Sequence, residues 1–348
     1  MFFMIKCFDI KFMESIMKNY RAKKIATWII VPLMMAIFIL DIITVVLANK
    51  YARIYYPEQE NFTYESGDDR IHFLNTANSD AIIIESNGKF AMIDAGEGNN
   101  NPRRKTSYKG YETEVKEYIK KICRNDNGEV YLDFILGTHC HYDHIGCFHA
   151  IISDAEIGIG KAYFKAFNPK IAKDYEIESW KIDEIYNQII DDLETRNIEI
   201  NNIIPDDMIF GDFRFEFFNT VTPEQLTNEG ENASSIGIKV IKGTKSAFLA
   251  ADITKSCGLE DLLGYKIGDV DLLKIGHHGY FGSSSQKFLD YLKPEIGIVT
   301  NQLGKIYPNV KWNLIMHAGL PLYSTYDNNG IIASFTDDGE IVLTDNIH

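Results

Sequence analysis

Cysteine is scarce. Five occur in 348 residues, with no paired spacing, so a disulfide framework is excluded as the source of the fold. Cys140, Cys147 and Cys257 lie near potential metal ligands, but small buried thiols packed as apolar groups explain them more simply. There is no fixed-period repeat and no low-complexity tract, which excludes solenoid and fibrous architectures. A strip of Lys and Arg is also missing, and the chain carries a net charge of −14. Such a surface repels nucleic acid phosphates, so nucleic acid is not an expected partner. What is present, 45% hydrophobic residues, suffices for a catalytic domain of roughly 250–300 residues with a full core.

One segment is not globular in character. From Ile25 to Leu47 the residues IATWIIVPLMMAIFILDIITVVL are apolar except for Thr27, Asp41 and Thr44. A bilayer core needs about 20 helical residues, and Pro32 can be tolerated in such a helix. Asp41, costly at depth, sits near the far end of the segment. A signal peptide is the competing reading, but its apolar stretch is typically about 7–15 residues. Before this segment Lys6, Lys11, Lys18, Arg21, Lys23 and Lys24 outweigh Asp9 and Glu14 by four; Asp41 and Lys50 cancel, which leaves −18 on residues 51–348. The positive-inside rule then predicts a single-pass protein of the cell membrane with a cytoplasmic N-terminus and an extracytoplasmic catalytic domain. The expected organisation is a basic N-terminus (1–24), a transmembrane helix (25–47), a stalk (48–70) and a globular domain (71–348).

Within that domain, Ala81 to Gly96 is two apolar runs joined at Asn87-Gly88, a strong hairpin signal. Val115, Ile119, Ile122 and Cys123 share one face of a predicted helix over Glu112 to Arg124. Ile182, Ile185, Tyr186, Ile189 and Leu193 mark another within 180–196. YLDFILGTH, FRFEFF, SIGIKV, SAFLAAD, DVDLLKIG and PEIGIVT read as strands, with a helix at Gln286 to Leu292 between the last two. Pattern alone supports an α/β fold.

The segment Thr138 to His144, T-H-C-H-Y-D-H, places three imidazoles and a carboxylate just after a buried strand. That donor set suits zinc, and also iron or manganese. His139 and His141 project to one side by the period-two rule, while Asp143 and His144 lie past the turn and can face a second ion. Two further buried strands end on polar groups of the same kind, FLAADI at Asp252 and LLKIGHHG at His277 and His278. Taken singly, Asp252 could be a helix cap and His277 a core histidine; together with HCHYDH a metal site is the stronger reading.

HCHYDH resembles the HxHxDH signature of the metallo-β-lactamase superfamily, and Asp94 in MIDAG resembles its early aspartate. Within the superfamily the sequence looks most like the teichoic-acid phosphorylcholine esterase catalytic domain. The matching segments are IHFLN, SDAIIIESNGKFAMIDAGE, LDFILGTHCHYDHIG, the Asn-Ala-Ser-Ser stretch from Asn232, FLAADI and VDLLKIGHH. The resemblance implies a four-layered αββα sandwich and two divalent ions, zinc above all. It implies His139 and His141 on one ion and Asp143, His144 and His278 on the other, with Asp252 bridging. His277 then faces the substrate oxyanion as a catalytic group beside Asp252, and Asp94 orients a ligand or the attacking water. Asn232 and Ser234 are implied in substrate binding. The superfamily often adds a metal histidine between the signature and the bridging aspartate; only His149 lies there, which implies an open position on the first ion.

The function implied is hydrolysis of cell-envelope phosphoesters of the phosphorylcholine type. Trp180, Tyr280 and Phe281, in or beside the site segments, suit a quaternary ammonium. Three alternatives stand beside it: a nuclease like the hydrolase domain of DNA-uptake channels, a β-lactamase, and a non-catalytic metal-binding sensor domain.

Overall fold

The structure is a computed structural model that describes residues 20–51, 69–102, 109–222 and 224–345. It divides into two units, one ending at Tyr51 and one beginning at Ala52. Residues 1–19, and most of the expected stalk, lie outside the described residues.

The first unit is one helix, Tyr20–Tyr51, with Pro32 inside it. Its segment Thr27–Leu47 has a mean hydropathy of 2.8 and is long and apolar enough to cross a membrane. The helix is apolar all round, with Trp28, Ile29, Phe38 and Leu40 exposed on it. Such a surface suits lipid better than a one-sided protein contact. The helix outruns the apolar segment because the flanking Ala, Lys and Arg residues are good helix formers.

Among its described residues the second unit has fifteen strands, β1 to β15 in chain order, in two sheets. One sheet runs β15 (Ile341–Thr344), β14 (Ile331–Phe335), β1 (Arg70–Phe73), β2 (Ala81–Ser86), β3 (Lys89–Ala95), β4 (Tyr131–Gly137), β5 (Gly158–Phe164), β6 (Glu199–Asn201). The other runs β13 (Leu322–Ser324), β12 (Ile296–Val299), β11 (Leu272–Lys274), β10 (Lys245–Leu249), β9 (Gly237–Lys242), β8 (Phe213–Phe218), β7 (Asp207–Phe210). The Asn87-Gly88 hairpin joins β2 to β3, and both turn residues have positive φ, 51° and 72°. That is the backbone a two-residue hairpin of the preferred twist requires.

The period of the strands builds the layers. Ile82 and Ile84 point into the space between the sheets, where they meet Phe215, Ile238 and Leu272. Ala81 and Ile83 point outward, where they pack with Val115 and Ile119 of helix Glu112–Ile122 and with Ile185 and Ile189 of helix Ile182–Thr195. On the far side of the second sheet, Phe248 and Leu273 pack against helices Leu259–Ile267 and Gln286–Leu292. Three apolar interfaces between four layers make the αββα sandwich. Helix Leu259–Ile267 has no counterpart in the sequence reading, because its apolar residues lack a clear stripe.

Strands β3 to β6 are mutually parallel, and so are β10 to β13. The chemistry-bearing segments leave the C-terminal ends of these parallel strands, the usual place for a site in α/β sheets. HCHYDH follows β4, Asp252 follows β10, the histidine pair follows β11 and Thr300 follows β12.

Candidate metal centre

Strand β4 ends on Gly137, where a Cβ would run into the Phe164 ring, so the chain can turn tightly into His139. Four residues of the site hold left-handed backbone: Asp94 (φ 55°), Ala251 (44°), His277 (51°) and His278 (49°). Each costs about 1–3 kcal/mol outside glycine and persists only where neighbours impose it. Here the Ala251 carbonyl accepts from the His277 N–H at 2.9 Å and from Lys274 Nζ at 3.1 Å, while Asn301 Nδ2 donates to the His278 carbonyl at 3.1 Å.

The expected ligands converge. His139 Nε2 lies 3.2 Å from His141 Nδ1 and 3.7 Å from Asp252 Oδ2. On the other side, His144 Nε2 lies 3.2 Å from His278 Nε2 and 3.2 Å from Asp252 Oδ1, and His278 Nε2 is 3.7 Å from Asp143 Oδ2. Donors on a tetrahedral zinc ion, with bonds of about 2.0–2.1 Å, sit about 3.3 Å apart, so these spacings suit a shared cation. Asp252 Oδ1 is fully buried and makes no well-aligned hydrogen bond, with the His144 and His278 Nε2 atoms 3.2 and 3.5 Å away, an arrangement that a cation between them would satisfy. The residues therefore fit two divalent ions, one beside His139 and His141, one beside Asp143, His144 and His278, with Asp252 touching both groups.

Each of these imidazoles keeps one nitrogen for the centre and gives the other to an outer partner. His144 Nδ1 is 2.7 Å from Asp94 Oδ2, and Asp94 also accepts from Thr138 N (2.8 Å) and Thr138 Oγ1 (2.7 Å). With both oxygens engaged, Asp94 stands behind His144 and not in the cavity. His278 Nδ1 lies 3.0 Å from Thr300 Oγ1 and 3.2 Å from Asp80 Oδ1. His141 Nε2 lies 3.2 Å from Glu176 Oε1, and His139 Nδ1 lies 3.2 Å from Thr138 Oγ1. Such partners fix tautomer and ring orientation in metal sites. Thr138 comes with the T-H-C-H-Y-D-H segment itself, whereas Asp80, Glu176 and Thr300 have no signature spacing in the sequence and are brought here by tertiary packing.

Protonation follows the same contacts. Burial and the neighbouring imidazole of His144 hold His139 well below the ordinary histidine range. Burial also disfavours a charge on His144, yet the Asp252 and Asp94 carboxylates prevail and raise it well above that range. Burial opposes ionisation of Asp252, but His144, His277 and His278 hold it well below the usual carboxylate range. A third cluster, Asp80 with His144 and His278, has the donor spacing of a metal site as well. It already holds a cation, the fully buried Lys274 ammonium paired with Asp80.

The two adjacent histidines differ. His278 is fully buried and backed by Asp80 and Thr300. The His277 side chain is 27% exposed, its Nδ1 has no hydrogen-bond partner, and its Nε2 lies 3.8 Å from Asp252 Oδ2. His277 lines a cavity of about 450 Å³ that opens on the centre, together with His141, Asp143, Asp252 and Asn232. The Asn232 Oδ1 is buried without a partner, and Ser234 is buried in the same turn. Tyr175, Trp180 and Tyr280 add rings to the lining, Glu176 and Glu229 carboxylates. Phe281 is exposed and packs edge-on against Tyr307, 5.5 Å between centroids. His149 stays out of the site, in a 2.5 Å contact with Asp192.

The family model of the metallo-beta-lactamase superfamily matches residues 74–299, and the chain belongs to that superfamily. Fold and donor set together make it a metallo-beta-lactamase-fold hydrolase. Among curated proteins it is similar to Recombination protein 2 of Haemophilus influenzae, 27% identical over 84 residues, or 24% of this chain and 10% of that protein. ComE operon protein 3 of Bacillus subtilis is 30% identical over 83 residues, 24% of this chain and 11% of that protein. The match thus spans about a tenth of the length of these relatives. Among solved structures, the metallo-beta-lactamase fold protein YhfI of Bacillus subtilis superposes with a TM-score of 0.43 at 10% identity, covering 74% of this chain and 96% of that one.

Proposed function

We propose that the chain is a membrane-anchored, metal-dependent phosphodiesterase acting on phosphorylcholine-type esters of the cell envelope. The observation that carries this reading is a cavity that opens on the histidine and aspartate donor cluster and has a wall both aromatic and acidic. When bound, two divalent ions supply a hydroxide nucleophile at neutral pH and neutralise charge on the attacked phosphoryl group. His139, His141, Asp143, His144 and His278 would hold those ions, with Asp252 between the two groups. His277, half-exposed and without an outer partner, donates from Nε2 to the phosphoryl oxygen. Asn232 and Ser234 bind the substrate beside it. Trp180, Tyr175 and Tyr280 offer ring faces to a quaternary ammonium, an attraction of up to about 2 kcal/mol when desolvated. Glu229 and Glu176 favour the same positive group and disfavour a polyanion. The helix Tyr20–Tyr51 supplies the anchor, and the basic residues before it favour a cytoplasmic N-terminus.

A nuclease is the second reading, favoured by the likeness to Recombination protein 2 and opposed by the −14 net charge. Three assays on one metal-loaded preparation test the choice: p-nitrophenyl-phosphorylcholine, single-stranded DNA and nitrocefin, each with and without chelator. Turnover of the choline ester, abolished by chelator, is expected. Trp180→Ala should raise its KM by about 10- to 30-fold and leave kcat nearly unchanged. Turnover of DNA or nitrocefin alone overturns the proposal, and inactivity on all three with both ions bound favours a non-catalytic metal-binding domain.

A further inference from the structure

We infer that Glu176 is a positioning residue that locks the cavity wall to the first metal group by fixing the tautomer of His141. Glu176 is buried in the short helix Asp174–Glu178, within a segment between β5 and β6 that lies outside the HxHxDH signature. Its Oε1 lies 3.2 Å from His141 Nε2, while His141 Nδ1 faces His139 Nε2 at 3.2 Å. A carboxylate at Nε2 requires the proton there, which leaves the Nδ1 lone pair directed at the centre. His144 and His278 are held the opposite way round, by partners at Nδ1, with Nε2 inward. His141 is thus the one ligand candidate that needs a partner on the cavity side, and Glu176 supplies it.

The same carboxylate organises the wall. Its Oε2 accepts from Lys173 N at 2.7 Å and from Glu231 N at 3.1 Å, so it joins the start of its own helix to the Glu231–Ser234 turn that carries Asn232. The Trp180 ring packs edge-on to His141 with centroids 5.5 Å apart, and Tyr175 packs on Trp180 at 4.8 Å. Ring wall, substrate turn and metal ligand therefore share one anion. Loading the first ion fixes His141, and through Glu176 it fixes the wall. Calling this wall a substrate wall rests on the phosphodiesterase reading; the coupling itself does not.

The test uses zinc alone, on the full chain in detergent, so it fails or succeeds independently of any substrate assay. Zinc affinities are read by competition with a chromophoric chelator, and wall order by tryptophan emission, with Trp180→Phe identifying the Trp180 signal. Glu176→Ala is expected to weaken one of the two zinc ions by about 10- to 100-fold and to leave the other unchanged. It should also abolish the zinc-induced change in Trp180 emission. If it lowers the stability of the metal-free protein yet binds both ions as the parent does, Glu176 is a helix cap only and the proposal is overturned. Glu176→Gln keeps the volume should the alanine variant not fold. With one acceptor oxygen for three donors, it is expected to weaken the same ion at least about threefold, and unchanged zinc binding overturns the proposal there as well.

Discussion

The floor of the cavity and its mouth are built by different rules. On the floor, His144, His278, Asp252, Asp94, Asp80 and Lys274 are almost wholly buried, and most polar atoms are matched by a named partner. At the mouth, Tyr175 and Glu229 are exposed, Trp180 and Tyr280 half-buried, and the lining comes from short helices and turns. The floor is fixed by strand ends whose register two sheets enforce. The mouth can vary without disturbing that register. Reaction type is therefore written in the floor and substrate choice in the mouth, which is how one superfamily hosts many reactions.

Removing the centre of the floor should have the largest effect. Asp252→Ala takes away a carboxylate that touches both donor groups, so both ions should be lost from metal analysis and turnover should fall by more than about 10³-fold. Retention of two tight ions would show that the bridge is elsewhere. The adjacent histidines divide the comparison more finely, since one belongs to each region. His278→Ala should empty one metal position. His277→Ala should keep both ions and lower turnover by about 10²- to 10³-fold. The reverse pattern of metal loss would exchange their roles.

The smallest expected effect lies next to the mouth, at Glu260, whose carboxyl burial raises to about 7. Its Oε2 accepts from Ser285 N at 2.9 Å, and its backbone N–H bonds the Thr254 carbonyl, so it ties two lining loops together. A carboxyl raised on folding binds more protons in the folded state. Its contribution to stability is thus complete below the ordinary carboxylate pKa and is lost as pH rises toward about 7. Glu260→Gln should flatten the fall in Tm between about pH 5 and pH 7.5. An unchanged slope would place the pH dependence in other groups.

The two regions were also unequally legible in the sequence. HCHYDH, Asp252 and the histidine pair stand out because metal ligands at strand ends leave a local pattern of spacing. The hairpin, FRFEFF and the helix stripe at Ile182–Thr195 stand out because period and turn chemistry are local too. Asp80, Glu176 and Lys274 carry no such pattern: an isolated acid or lysine reads as a solvated charge until packing buries it. Asp80 and Lys274 are separated by most of the domain in sequence, yet they form a buried pair behind His278. Asp94 was legible as a residue of the site, but only its hydrogen bonds to Thr138 and His144 show that it stands behind the His144 imidazole.

The Lys274 ammonium has a consequence for metal loading. Three donors, Asp80, His144 and His278, meet at the spacing of a metal site, and the Asp80 carboxylate among them is already paired with a covalently tethered monovalent cation. A tethered cation neither dissociates nor responds to the metal concentration around the protein. Asp80 is therefore already paired within the chain, and it orients the imidazole of His278 instead of standing as a bare carboxylate. The charge behind His278 is balanced from within the chain, by a residue that binds nothing from outside.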